Sequence, residues 1–294
     1  MKIGFTLKPK DGNIEDFEKQ IEDLEKIGAE SAEIPLYELD VVCGKKIIKD
    51  ELKLLNKFTL KSNLKFSIHG SMSVNLLDED YLEEHLQVLE KEIQVCSDLN
   101  IKILVTHFGH TSVATSQNQK KYNDLINIQK QKYFEMAEIA KVHGVKLCIE
   151  NIFPYTNLHF TALPSEVSES IREINHPNAR TTIDFSHAYI NCNLRKKDLI
   201  PEIETMIPFT EHLHVHDSFG KFKTMYTYIF AEDITYGQGD IHLPLGWGDI
   251  PFDKIFSSGA FNKDIFFNFE LSQRYKKYYS QNVEKAKKLI SLVK

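Results

Sequence analysis

The sequence predicts a single (β/α)8 barrel over residues 1–294, and three observations carry that prediction. Short apolar runs of strand length alternate with longer segments of helical period, and such alternation implies parallel strands joined by right-handed crossovers. The length of 294 residues is that of one α/β barrel, 42% of them are apolar, enough for a large core, and no low-complexity linker divides the chain. The first turn, "LKPKDGNIEDF", lacks the G-x-G-x-x-G with which an open doubly wound sheet usually begins.

Taken in order, "KIGFTL" (2–7) is the first strand, with a helical segment near 14–27. "SAEIPL" (31–36) precedes a helix near 46–61, and "KFSIHG" (65–70) one near 79–99. The third helix shows its period plainly: in "YLEEHLQVLEKEIQVCSDL", Leu82, Leu86, Leu89, Ile93 and Cys96 form one stripe. "KILVTHFG" (102–109) leads to a helix at 119–142, "KLCIEN" (146–151) to 164–174, and "RTTIDFSH" (180–187) to 195–206. "EHLHVHDS" (211–218) enters a long loop, about 218–250, before a helix at 252–258; "DIFFNFEL" (264–271) and a helix at 280–293 complete the set. The long loop carries Tyr226, Tyr228 and Tyr236, suited to a lid over a sugar, and Pro244, Gly246 and Gly248 turn the chain back.

A net charge of −6 without a basic tract leaves no electrostatic footprint for nucleic acid, although bound metal ions would reverse the sign of a pocket locally. Cys43, Cys96, Cys148 and Cys192 form no C-x-x-C pair and read as buried free thiols of a reducing compartment. "MKIGFTLKPK" is too short in apolar residues for a signal peptide, and no run of ~18 apolar residues spans a membrane. A cytoplasmic protein with no membrane partner is expected, and the helix faces define no oligomeric state.

In a (β/α)8 barrel the site lies at the C-terminal strand ends. There the chain places His69, His107 and His110, Glu150, Asp184 and His187, then His212, His214 and His216, and Glu270; Asp240 and His242 lie in the long loop. Eight of the 12 histidines thus gather at one rim. Imidazole with carboxylate suits Zn, Mn, Fe or Co. His212, His214 and His216 point the same way by strand alternation. Glu150 and Glu270 end apolar strands, where a bare carboxylate costs several kcal/mol unless paired or metal-bound. His110 and His212 read as hydrogen-bonded structure before ligand, with His110 kept as a substrate contact. His216 reads as a substrate contact or a support of the ligands, and Asp217 as an anchor for loop backbone. His85, His143 and His176 read as surface residues.

The order "SIHGS", "THFG", "CIEN", "DFSH", "HVHD", "DIH", "FEL" resembles the xylose isomerase-like barrel superfamily, which includes sugar phosphate isomerases and epimerases and endonuclease IV (AP endonuclease family 2). Resemblance to the epimerase branch implies one divalent metal held by Glu150, Asp184, His214 and Glu270, with the glutamate pair moving a proton and His187 touching substrate. Resemblance to endonuclease IV implies three zinc ions held by His69, His107, Glu150, Asp184, His187, His214, Asp240, His242 and Glu270. The surroundings depart from the nuclease: Met72 stands where that family has an aromatic residue, His216 where it has asparagine, Phe219 where it has lysine, and residues 37–45 carry no arginine. "D-x-H-L-P-L-G-x-G-D-I" is similar instead to chains named sugar phosphate isomerase or epimerase.

The favoured expectation is therefore an isomerase or epimerase of a sugar or sugar phosphate. Its catalytic residues are Glu150, Glu270 and His187, its substrate contacts His216 and His110, and it holds two or three divalent ions that stabilise an enediolate. The alternative is an endonuclease IV-like multinuclear zinc phosphodiesterase acting on an abasic nucleic acid or a small phosphoester. A metal-stabilised barrel without activity is disfavoured, because the ligands gather at the functional end of the fold.

Overall fold

Alternation of inward and outward side chains organises the structure, a computed structural model that describes residues 1–294. Eight parallel strands form the barrel: β1 (Lys2–Thr6), β2 (Ser31–Pro35), β3 (Lys65–His69), β4 (Ile103–His107), β5 (Lys146–Glu150), β6 (Ala179–Asp184), β7 (Thr210–Val215) and β8 (Phe266–Phe269). They close in the order β1-β8-β7-β6-β5-β4-β3-β2, so each strand pairs with its sequence neighbours and β8 with β1. This is the (β/α)8 barrel that the alternation predicts.

Outward residues such as Phe5, Ile34, Ile183 and Phe267 join one continuous core with Phe17, Leu55, Ile93 and Phe256 of the surrounding helices. Inward residues change character along the axis. Ile103, Val105, Cys148 and Phe266 fill the base with a small apolar cluster. Above it lie Ser67, His212, Glu33, Thr6 and Asn268, bonded to one another across the bore. The top is left to imidazoles and carboxylates. The polar middle layer is tolerated because each of these side chains has at least one partner, although His212 Nδ1 and Asn268 Oδ1 have none.

Several expectations are corrected. Asp184 ends β6 and at once caps the helix Phe185–Arg195, which stops at Lys196 in the left-handed conformation; a second helix, Leu199–Met206, follows. One helix over 195–206 was expected. A hairpin, Val42–Cys43 with Lys46–Ile47, occupies the predicted start of the second helix, which begins at Lys49. His110–Ser112 pairs with His159–Thr161 and ties the loops after β4 and β5 together. His176 is buried, not a surface residue, because Glu138 accepts from its Nε2 at 2.6 Å; His85 is half-buried and His143 exposed. Cys43 is exposed, whereas Cys96, Cys148 and Cys192 are buried free thiols. No helix is long and apolar enough to cross a membrane.

Candidate active site

The barrel brings all nine expected ligand residues to one rim. Around Glu150, His69 Nε2 lies 3.5 Å and His107 Nε2 3.7 Å from Oε2, while His187 Nδ1 lies 3.1 Å and His214 Nδ1 3.2 Å from Oε1. Glu270 Oε2 is 3.5 Å from the same His214 nitrogen. Asp240 Oδ2 is 3.4 Å from His187 Nε2 and 2.7 Å from His242 Nε2. Asp184 accepts the His187 backbone N–H on Oδ1 at 2.7 Å and the His216 Nε2–H on Oδ2 at 3.0 Å.

Backbone geometry sets these positions. The Asp184 cap starts a helix directly at the strand end, which throws His187 three residues on back over the bore. His242 takes a left-handed backbone at φ 47°, sparse for a non-glycine residue, and its Nδ1–H donates to the Glu270 carbonyl. Asp217 holds the returning loop by accepting backbone N–H groups of Ser218, Gly246 and Ile250. A Cβ on Gly248 would meet the Ser218 carbonyl oxygen at 2.2 Å, so only glycine permits that approach.

The imidazoles are oriented as metal ligands are. His69 Nδ1–H donates to the Gly70 carbonyl at 2.9 Å and His107 Nδ1–H to the Met72 carbonyl at 3.0 Å, which leaves each Nε2 lone pair facing Glu150. His187 and His242 likewise spend Nδ1 on the Asn151 and Glu270 carbonyls and turn Nε2 to Asp240. His214 is reversed: Nε2–H donates to Glu33 at 3.1 Å and Nδ1 faces Glu150 and Glu270. Glu150 Oε2, His214 Nδ1 and His216 Nδ1 are buried without hydrogen-bond partners. Acceptor atoms left bare in a buried site fit one or more divalent cations.

Charge balance within the cluster tells the same story. Burial pushes Glu150 up, but His214, His187 and His69 outweigh it and hold its carboxyl well below the usual range. Burial likewise opposes Asp240, which His242, His216 and His187 hold well down. Burial draws His214 down, yet Glu270, Glu33 and Glu150 raise it well above the ordinary value; His242 is raised to about 9 by Asp240 against the same opposition. Burial alone dominates at His107, lowered to about 4, and at His212, lowered to about 3. His107 is thus neutral and free to offer a lone pair near pH 7.

Glu33 was not singled out in the sequence. It is wholly buried in β2, accepts from Thr6, and faces both His212 (3.2 Å) and His214 (3.1 Å) across the bore. A carboxylate on the far nitrogen of a ligating histidine fixes its tautomer and raises its basicity. Glu33→Gln is expected to weaken cation binding by about 10- to 100-fold without unfolding the barrel. Competition titration against a chromophoric chelator measures this, and unchanged affinity removes Glu33 from the site.

A cavity of about 360 Å3 opens above the cluster, lined by His69, His107, Glu150, His187, Asp240, His242 and Glu270 at its floor. Lys8, Tyr37, Met72, Phe153 and Tyr155 form its walls, and Phe222, Lys223, Phe230 and Gln238 of the long loop reach over it. That loop is internally tied: it contains the helix Phe230–Tyr236, and Asp233 accepts from Lys223 at 2.8 Å and Thr227 at 2.7 Å. The tyrosines expected to close over substrate do not line the cavity; Tyr226 and Tyr228 are 78% and 83% exposed. His216 is wholly buried beneath it, stacked on His242, and supports Asp184 rather than facing substrate space. His110 lies in the neighbouring cavity with Asn75, Asp78 and His85. His212 is spent on Ser67 and Glu33 below the rim.

Residues 21–287 match the family described as xylose isomerase-like TIM barrel. The chain belongs to that family. This xylose isomerase-like barrel is 26% identical over 188 residues to the 3-dehydroshikimate dehydratase of Bacillus anthracis, a stretch that is 60% of this chain and 61% of the relative, so about three fifths of the relative's length is spanned. Among solved structures it resembles a D-tagatose 3-epimerase-like protein at a TM-score of 0.71 and 18% identity, covering 100% of this chain and 98% of the other. It also resembles the D-psicose 3-epimerase of Clostridium cellulolyticum H10, at 0.69 and 14% identity over 100% of both chains. Both likenesses establish the shared barrel.

Proposed function

We propose that this xylose isomerase-like barrel is a divalent-metal-dependent isomerase or epimerase that moves a proton beside the carbonyl of a sugar or sugar phosphate. One observation carries the reading: the carboxylates of Glu150 and Glu270 converge on His214 Nδ1, at 3.2 Å and 3.5 Å, on the floor of a cavity of about 360 Å3. That size lies in the ~300–1,000 Å3 range of small-ligand pockets. The 3-epimerases among the structural neighbours support it.

Glu150, Asp184, His214 and Glu270 would hold the central ion, which supplies Lewis-acid stabilisation of charge developing on the carbonyl oxygen. Glu150 and Glu270 take and return the proton at the adjacent carbon. His187, on the cavity floor beside Glu150, donates to a substrate hydroxyl and keeps that carbon in reach. Phe222 and Phe230 narrow the mouth and exclude water from the proton in transit.

A second reading, multinuclear phosphodiester hydrolysis, is favoured by the surplus of ligand residues. His69 and His107 on one side of Glu150, and His187, Asp240 and His242 on the other, exceed what one four-coordinate ion takes. Elemental analysis of the purified protein is expected to find at least two ions per chain, and a value near one removes Asp240 and His242 from the metal centre. In heavy water, a panel of ketoses, aldoses and their phosphates is expected to show enzyme-dependent C–H exchange. Absence of exchange together with nicking of an abasic oligonucleotide reverses the ranking.

A further inference from the structure

We propose that Lys8 selects substrates bearing an anionic group, a carboxylate or a phosphate, at the β1 side of the cavity. This rests on the proton-transfer reading above and adds the substrate class to it. Lys8 continues the inward register of β1 through Gly4 and Thr6, whereas Ile3, Phe5 and Leu7 face the helices. Lys8 lines the cavity that the metal-type residues floor, and it also borders the outer cavity beside Gln20 and Gln273.

The backbone of Lys8 is built to hold that side chain in place. Its N–H donates to Gln20 Oε1 at 2.9 Å, and its carbonyl accepts from Gln20 Nε2 and from Gln273 Nε2, each at 2.9 Å. Two glutamines from opposite ends of the chain thus clamp a residue just past the strand end, and Pro9 biases the Lys8 backbone towards an extended conformation. The side chain is half-buried, and its nitrogen makes no ion pair or hydrogen bond. Lys223, the other lysine of the cavity, is neutralised by Asp233 at 2.8 Å. Glu38 lies beyond ion-pair distance of Lys8, and burial pushes its carboxyl up against the opposing pull of the Lys8 charge.

The charge count explains why a free ammonium selects for an anion. Glu150, Asp240 and Glu270 bring three carboxylates to the floor, and Asp184 and Glu33 add two buried beneath it. Two or three divalent ions offset about four to six charges, so the floor is close to balanced. An unpaired ammonium on the wall above it then favours an anionic substituent held away from the reacting carbon. A charge-assisted hydrogen bond of this kind contributes ~1.5–3 kcal/mol, or roughly ten- to a hundredfold in affinity.

The test measures binding to the metal-loaded protein by calorimetry for D-fructose 6-phosphate against D-fructose, and for D-glucuronate against D-glucose. At least one anion is expected to bind about tenfold or more tightly than its neutral counterpart, and which one does so separates phosphate from carboxylate. Lys8→Met is expected to bring that ratio close to one, and Lys8→Arg to keep most of it. A wild-type ratio near one for both pairs overturns the proposal, as does a preference that survives Lys8→Met in protein with unchanged melting temperature. Heavy-water exchange on D-fructose separates the two ideas. Exchange without anion preference leaves proton transfer standing and Lys8 wrong; a Lys8-dependent preference without exchange on any sugar does the reverse.

Discussion

Glu150→Gln is expected to abolish cation binding and turnover together. Glu150 faces four imidazoles of the cluster: His69 and His107 face one oxygen, at 3.5 Å and 3.7 Å, and His187 and His214 the other, at 3.1 Å and 3.2 Å. Glutamine keeps the shape and removes the charge. Its amide N–H2 must face either the lone pairs of His69 and His107 or the nitrogens of His187 and His214, where a cation needs an anionic oxygen. Loss of that ion and of the proton-moving carboxylate forfeits several kcal/mol of transition-state stabilisation, a fall of roughly a thousandfold or more in rate. The cation-free variant is also expected to lose about 3 kcal/mol or more of stability, because His214 and His187 remain buried with one counter-charge fewer. Elemental analysis, heavy-water exchange and urea denaturation of the chelated protein check the three parts. Retention of the metal with turnover within about tenfold of wild type removes Glu150 from the centre.

The barrel was legible because each strand is a short apolar run, and four of the expected ligand residues, His69, His107, Glu150 and Asp184, end one. The i, i+2 histidines of β7 point inward by alternation alone, and Glu150 and Glu270 stand out as acids closing apolar strands. The same argument reaches Glu33 in "SAEIPL", an acid inside an apolar strand, but its worth lies in the bore: its partners His212 and His214 are on β7, with β1 and β8 between the two strands on the shorter way round. Linear spacing carries no sign of a contact across a closed barrel. The helix Phe185–Arg195 was hidden because His187, Asn191 and Asn193 interrupt its apolar stripe, and its start depends on one capping carboxylate that also serves the site. His176 misled because the partner that stabilises it, Glu138, lies 38 residues away. The lid tyrosines misled because aromatic content says nothing of direction. A helix at Phe230–Tyr236 presents Phe230 to the cavity and leaves Tyr236 57% exposed.

Lys8 shows the complementary case, in which an ordinary lysine acquires meaning only from what is missing around it. No sequence pattern separates it from Lys10 or Lys19. The register of β1, the two glutamine clamps and the absence of a counter-ion do. The free ammonium, the buried Glu33 and the strained backbone of His242 share one feature: each is held in a state that local preference disfavours by contacts from distant segments. Such departures from local preference concentrate where a fold does chemistry.

Removing the metal is expected to give the protein an alkaline instability that the loaded form lacks. His242 is raised from 6.5 to about 9 by Asp240, against the opposing pull of burial. Because the folded value exceeds the unfolded one, its stabilisation is complete below about pH 6.5 and is lost as pH rises through about 9. His214 and His187, raised well above the ordinary value despite burial, lose theirs in the same direction. On the acid side, Glu150, Asp184 and Asp240 are lowered, so their contribution is present above the ordinary carboxylate range and lost as pH falls below it. His107 and His212, lowered to about 4 and about 3 by burial, also weaken the fold as pH drops below 6.5. The chelated protein therefore has its stability maximum near pH 6.5 and declines to either side. His242 alone accounts for about 2 kcal/mol of the alkaline decline after allowance for its side chain being 28% exposed. That corresponds to about 3 °C in melting temperature for a chain of this size. A divalent cation takes the imidazole lone pairs and makes the proton redundant, so the loaded protein is expected to hold its melting temperature from pH 6.5 to 9 while falling more steeply in acid. Thermal denaturation across that range, with chelator and with zinc or manganese, gives the two profiles. Parallel curves mean that His242, His214 and His187 do not meet a metal, and the multinuclear centre loses its physical basis.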